Sequence, residues 1–158
     1  MSKAPRPRDL QARRPAKIRH AAPMPFVYER TIRLAETDAA GIVFFANYLV
    51  LCHEAYEASL AQAGLPVQSF LGGGDVIVPI ARSSAEYLRP LQCGDRIRVA
   101  LQVTRLSENS FAIDYEITRL GPPDKLAARL RTEHVVTSRT QKSRVPMPSA
   151  LAAWVEAG

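Results

Sequence analysis

What most restricts the fold of this chain is a change of hydrophobic period near residue 74. Before it, the stretch from about Phe45 to Ala63 is rich in Ala, Leu, Glu and aromatic residues, has neither Gly nor Pro, and closes on Gly64 and Pro66. That is the pattern of one long helix with a defined stop. Its apolar residues Tyr48, Leu49, Leu51, Cys52, Ala55, Ala58 and Leu60 run most of the way round the cylinder, so burial on nearly all sides is expected. After the Gly72-Gly73-Gly74 loop the period is two. One strand is expected from Val76 to Tyr87, ending near Pro90. Ile97, Val99, Leu101 and Val103, then Phe111, Ile113, Tyr115 and Ile117, then Leu126, Ala128, Leu130, His134 and Val136 alternate with polar residues. Each is a strand with one core face and one wet face. The turns fall at Gly94-Asp95, Ser107-Glu108-Asn109 and Gly121-Pro122-Pro123, and connections this short join antiparallel neighbours.

An earlier strand is read from Phe26, Tyr28, Ile32 and Leu34, with Arg30 breaking the alternation at what is expected to be a sheet edge. The order is therefore strand, helix, four strands: an α+β chain with an antiparallel five-stranded sheet wrapped around one long central helix. One helix cannot cover a whole sheet, so an edge and part of a face are left for a second copy. At 158 residues this is one domain. Residues 26–148 form it, residues 149–158 make a short C-terminal helix or tail, and residues 1–25, with five prolines and no apolar periodicity, read as a disordered basic tail.

The net charge of +6 does not describe the domain. Seven of the 21 basic residues but one of the 15 acidic ones lie in residues 1–22, which leaves 14 of each in the remainder. The folded part is neutral, and no helical DNA-reading module fits the proline-broken tail, so nucleic acid is not expected as a partner. No stretch reaches the roughly 18 to 20 apolar residues of a membrane span, and no membrane partner is expected. Cys52 and Cys93 have neither framework nor metal-ligand spacing, as for reduced thiols in the cytoplasm. An organellar leader would be Arg-rich and acid-poor like this tail, but also serine-rich, and Ser2 is its only serine.

Chemistry concentrates in ETDAAGIVFFANYLVLCHEAYEASL, residues 36–60. A carboxylate, Asp38, and a turn glycine, Gly41, precede a helix start near Phe45. A helix N-terminus exposes unpaired amides and a partial positive potential, which can hold a carbonyl oxygen as it becomes an oxyanion. Asp38 could attack that carbonyl or activate a water. Read from the residues alone, Asp38 is more at home as a helix N-cap or turn residue, and Gly41 as an ordinary turn glycine.

This stretch, with EYLRPLQCGDRIRV at residues 86–99, resembles the hotdog-fold thioesterase family typified by 4-hydroxybenzoyl-CoA thioesterase. The combination of TDAAGIVFFANYL, CHEAYE and VIVPIARSSAEYL is most similar to the family's 1,4-dihydroxy-2-naphthoyl-CoA hydrolases of phylloquinone and menaquinone biosynthesis. The resemblance implies hydrolysis of an aromatic acyl-CoA, with Asp38 as catalytic carboxylate and the Phe45 backbone amide as oxyanion donor. It further implies Gly41 in a loop that passes close to the thioester, no metal or other cofactor beyond the CoA of the substrate, and homodimers or tetramers. From the residues themselves, Val43 and Tyr48 are expected against the substrate with Phe44, and Phe44, Phe45, Tyr48 and Tyr56 near the loop suit an aromatic acyl group, though aromatics are also ordinary core material. Phe45 stands where related enzymes often carry tyrosine.

A second branch of hotdog thioesterases uses a helix glutamate, which makes Glu54 a rival base. His53 and His134 are read as structural. Phosphate contacts to CoA call for cations; Arg89 and Arg144 are the candidates, with Arg139 and Lys142 behind them. Other activities remain open on the residues: a thioesterase for another aromatic or a short aliphatic acyl-CoA, or a non-catalytic acyl-CoA-binding regulator. A hotdog hydratase would need histidine five residues after the aspartate, where this chain has Val43.

Overall fold

The computed structural model describes residues 25–68 and 74–158; the tail through residue 24 and the Gly72-Gly73 part of the glycine loop lie outside them. The elements are β1 (Phe26–Thr31), a 3-10 turn (Leu34–Glu36), α1 (Asn47–Gln62), β2 (Val76–Ile77), β3 (Ile80–Tyr87), β4 (Arg96–Ser107), β5 (Ser110–Arg119), β6 (Lys125–Val135), β7 (Thr137–Ser138) and α2 (Ser149–Ala157). The main sheet has five strands in the order β1-β4-β5-β6-β3, with every neighbouring pair antiparallel.

The alternation read from the sequence sets the inner face. Ile97, Val99, Leu101 and Val103 of β4 face the core with Phe111, Ile113, Tyr115 and Ile117 of β5. α1 lies on that face with Tyr48, Leu51, Cys52, Ala55, Tyr56, Ser59 and Leu60 buried, the three- and four-residue spacing of one helical stripe. The helix is not buried all round as expected: Val50 is 52% exposed, because in one chain the sheet covers a single side. Gly64, at φ +76°, ends the helix, and Leu65 N donates back to Leu60 O at 2.9 Å, as left-handed C-terminal residues do. α2 closes the far end of the core: the Trp154 indole N–H donates to Ser59 Oγ at 3.1 Å, and its ring meets Phe111 and Tyr56.

Three expectations need correction. Leu34 is not in β1; it sits in the 3-10 turn, 75% exposed. The strand expected from Val76 to Tyr87 is two: Pro79 has no N–H to give a ladder, so β2 pairs with β7 in a separate small sheet while β3 pairs with β6. Position 127 in β6 is an extra residue, where the register shifts opposite Ile117 and Thr118. Its carbonyl is thereby freed and accepts Leu88 N at 2.8 Å and Arg89 N at 3.0 Å. That bulge fixes the segment that follows β3.

Candidate active site

The turn after β1 is built around Asp38. Asp38 N donates to Ile42 O, and Gly41 N donates to Asp38 O, both at 2.9 Å. Gly41 has φ +77°, a left-handed conformation that glycine reaches without steric cost. The Asp38 carboxylate is exposed and accepts one local bond through Oδ1, from Ala40 N at 2.8 Å; among the described residues Oδ2 has no partner. Asp38 is not the helix cap, since that position is Ala46. The returning arm is pinned by Val43 N to Leu91 O at 2.8 Å.

The helix start is left open. Ala46 has no side chain able to cap, and Asn47, the first helical residue, turns its Nδ2 back to Glu36 O at 2.8 Å. Phe44 N also reaches Glu36 O, at 3.0 Å. Among the described residues no acceptor meets the amides of Phe45 or Ala46, while the Phe45 carbonyl accepts the Tyr87 hydroxyl at 3.2 Å. Open N–H groups with the positive end of the helix behind them form an anion-stabilising arrangement.

Asp38, Val43, Phe44, Phe45, Tyr48 and Arg89 line one cleft of about 480 Å³ together with Ile42, Tyr87, Leu88 and Pro90, within the size range of small-molecule sites. Tyr48 is buried, which raises its phenol's pKa, and meets Tyr87 edge-on with ring centroids 5.1 Å apart. Phe45 is 62% exposed and lies 4.6 Å from Phe44, centroid to centroid. Arg89 gives one N–H to Leu126 O at 2.7 Å and has no ion-pair partner among the described residues. Tyr87 and Leu88 escaped the sequence reading because they stand at a strand end. The signal was there: two consecutive large apolar residues ahead of Pro90 break the period of two.

Other candidates lie elsewhere. Glu54 is held by Arg30 Nη1 at 2.8 and 2.6 Å, in a separate charged pocket with Tyr28, Arg33 and Glu36; a carboxylate gripped at both oxygens is poorly placed to take a proton. Arg144 bridges to Thr137 beside the small β2-β7 sheet and does not line the cleft, so within one chain the structure does not bring it to Asp38. Gly41 shapes the loop without lining the cleft. Arg139 lines another pocket with His53, Tyr56 and Glu57. His134 is a core residue stacked on Phe111. Among the described residues no cluster of three metal-binding side chains occurs.

A five-stranded antiparallel sheet wrapped over one helix, with an aspartate and an uncapped helix start lining one aromatic cleft, is the hotdog arrangement. The chain belongs to the thioesterase-like superfamily, whose family model matches residues 32–155. It is 44% identical over 128 residues to the 1,4-dihydroxy-2-naphthoyl-CoA hydrolase of Microcystis aeruginosa, covering 81% of this chain and 91% of that one. It is 40% identical over 129 residues to the same-named protein of Rippkaea orientalis, covering 82% and 94%. The crystal structure of a 1,4-dihydroxy-2-naphthoyl-CoA thioesterase from Synechocystis superposes with a TM-score of 0.79 at 37% identity, covering 82% of this chain and 94% of the other.

Proposed function

We propose that this chain is an acyl-CoA thioesterase that hydrolyses 1,4-dihydroxy-2-naphthoyl-CoA to 1,4-dihydroxy-2-naphthoate and CoA, a step of phylloquinone or menaquinone biosynthesis. The observation that carries the reading is the meeting of Asp38 and the unpaired Phe45 amide in one aromatic-lined cleft, in a chain about 40% identical to proteins of that name.

In this account the thioester carbonyl oxygen accepts from Phe45 N–H. The oxygen's growing charge is met by an amide already in place, and one such donor contributes roughly 2.7 to 4 kcal/mol to lowering a barrier. Asp38 delivers the attack on the carbonyl carbon, as nucleophile or through a water it deprotonates. The C–S bond breaks, the sulfur leaves as CoA thiolate and takes up a proton, and water supplies the oxygen of the acid. Phe44, Phe45, Tyr48 and Tyr87 offer ring faces and edges to a naphthoyl group. Gly41 and Val43 hold the loop close to it, and Arg89 faces the CoA phosphates. No step draws on a metal or redox group.

The acting unit is a homo-oligomer built from dimers. Support comes from β3, which ends the sheet with all eight residues exposed, and from Phe45 and Leu88, large apolar side chains left open at its end. A second copy pairing along β3 would cover them and complete the cleft wall. No described helix is long and apolar enough to cross a membrane, and the proposed place of action is the cytoplasm.

The test is thiol release from 1,4-dihydroxy-2-naphthoyl-CoA, 4-hydroxybenzoyl-CoA, benzoyl-CoA and a short aliphatic acyl-CoA. Preference for the naphthoyl compound by kcat/KM supports the proposal. Preference for another thioester moves the enzyme to another substrate, and absence of thiol release from all four removes catalysis.

A further inference from the structure

The inner side of β1 is interrupted by a cation. Arg30 follows Phe26 and Tyr28 on that face, and its side chain is largely buried between two carboxylates. Nη2 donates to Glu36 Oε1 at 2.5 Å, and Nη1 donates to both oxygens of Glu54 at 2.8 and 2.6 Å. The triad is only partly buried, with the Glu54 side chain 36% exposed, and ion pairs that reach solvent add little to stability, so its presence asks for a different reason.

The reason lies in what Glu36 carries. Its other carboxylate oxygen accepts Arg33 N at 2.6 Å, closing the 3-10 turn. Its main-chain carbonyl accepts both Phe44 N and Asn47 Nδ2. The residues on either side of the Phe45 amide therefore hang from one carbonyl, and the helix start has no side-chain cap of its own. Asp38 is anchored differently, through Ile42 and Val43 to the connection between β3 and β4. The Thr37–Val43 bridge ties the two halves together, and Glu36 is where that ladder meets the helix start. Arg30 joins the Glu36 mooring to β1 on one side and, through Glu54, to the second turn of α1 on the other.

We propose that Arg30 is a positioning residue that sets the Phe45 amide against Asp38, with Glu36 and Glu54 as its two arms. The proposal rests on the thioesterase reading above. The guanidinium touches no substrate in this account; its forked donors span two carboxylates that a single ammonium cannot bridge in the same geometry. Displacing an oxyanion donor by a fraction of an ångström weakens the transition state more than the bound ground state.

Arg30→Met and Arg30→Lys are compared with wild type and with Asp38→Asn by steady-state thiol release, well below each protein's melting temperature. The expected result for Arg30→Met is a kcat lower by roughly 10- to 100-fold with KM within about threefold, and Arg30→Lys intermediate. If Arg30→Met does not fold, Arg30→Lys decides by the same split between kcat and KM. Wild-type kcat in the folded variants overturns the proposal, and so does a rise in KM alone, which would make Arg30 a substrate contact. Asp38→Asn separates the two levels: if it is inactive while Arg30 variants keep wild-type kcat, positioning fails and the thioesterase reading stands. An active Asp38→Asn leaves thioester hydrolysis standing but removes Asp38 as its carboxylate and, with it, the role of Arg30.

Discussion

Lowering the pH should destabilise this protein through His134. The side chain is 1% exposed, stacked on Phe111 at 4.7 Å and flanked by Tyr56 at 5.1 Å. Nε2 is 2.8 Å from Thr132 Oγ1, while Nδ1 has no partner. The neutral ring with its proton on Nε2 leaves only a bare lone pair on Nδ1; protonation would create a buried N–H with no acceptor. Burial, and then the nearby His53, lower the pKa from 6.5 to about 4. The folded state thus takes up its proton later than the unfolded chain, and the unfolded state binds more protons throughout the interval. Stability is whole above pH 6.5 and falls as the pH drops toward 4. Linkage gives a loss of about 2 kcal/mol at pH 5, before most carboxylates titrate. The aromatic faces return part of this by cation–π attraction, which makes that figure an upper value. Urea unfolding of wild type and His134→Gln at pH 7.5 and pH 5 isolates it, since glutamine keeps a hydrogen bond for Thr132 and does not titrate. The wild type should lose about 1 to 2 kcal/mol more than the variant, in proportion to that linkage. Equal losses would refute the argument.

Replacing Gly41 tests the loop: at φ +77°, with no atom within 4 Å of the place a methyl group would occupy, Gly41→Ala should cost about 1 to 2 kcal/mol by backbone strain alone. Gly41→Asn should cost less, and equal thermal stability of wild type and Gly41→Ala would contradict this. Arg89→Ala should raise KM for CoA substrates about tenfold, the worth of one charge-assisted hydrogen bond, with little change in kcat. An unchanged KM removes Arg89 from phosphate binding.

The long strands, their faces and their turns were readable because period two and Gly, Pro and Asn turn chemistry are local properties of sequence. So was the helix with its Gly64 stop. What could not be read depended on partners far along the chain. Arg30 looked like an interruption at an edge; β1 is an edge strand, but the arginine points inward because Glu36 and Glu54 meet it there. The helix looked buried on nearly all sides because composition cannot say how much of a helix one sheet covers; in the fold Val50 is left open. Pro79 was visible, yet its power to divert β2 toward β7 required knowing that Asp75 binds Ser138 and Thr140. In the cleft, Asp38, Val43, Phe44, Phe45, Tyr48 and Arg89 were legible through the stretch and its resemblance. Tyr87 and Leu88 join them only because the Ala127 carbonyl, freed by the bulge in β6, holds the end of β3.

The account turns on Asp38, and Asp38→Asn tests it most directly. Asparagine keeps an acceptor for Ala40 N, and the position is exposed, so melting temperature and circular dichroism should match wild type. Thiol release from 1,4-dihydroxy-2-naphthoyl-CoA should fall by roughly 100- to 10,000-fold in kcat. Turnover near the wild-type value in a folded Asp38→Asn protein would contradict the account.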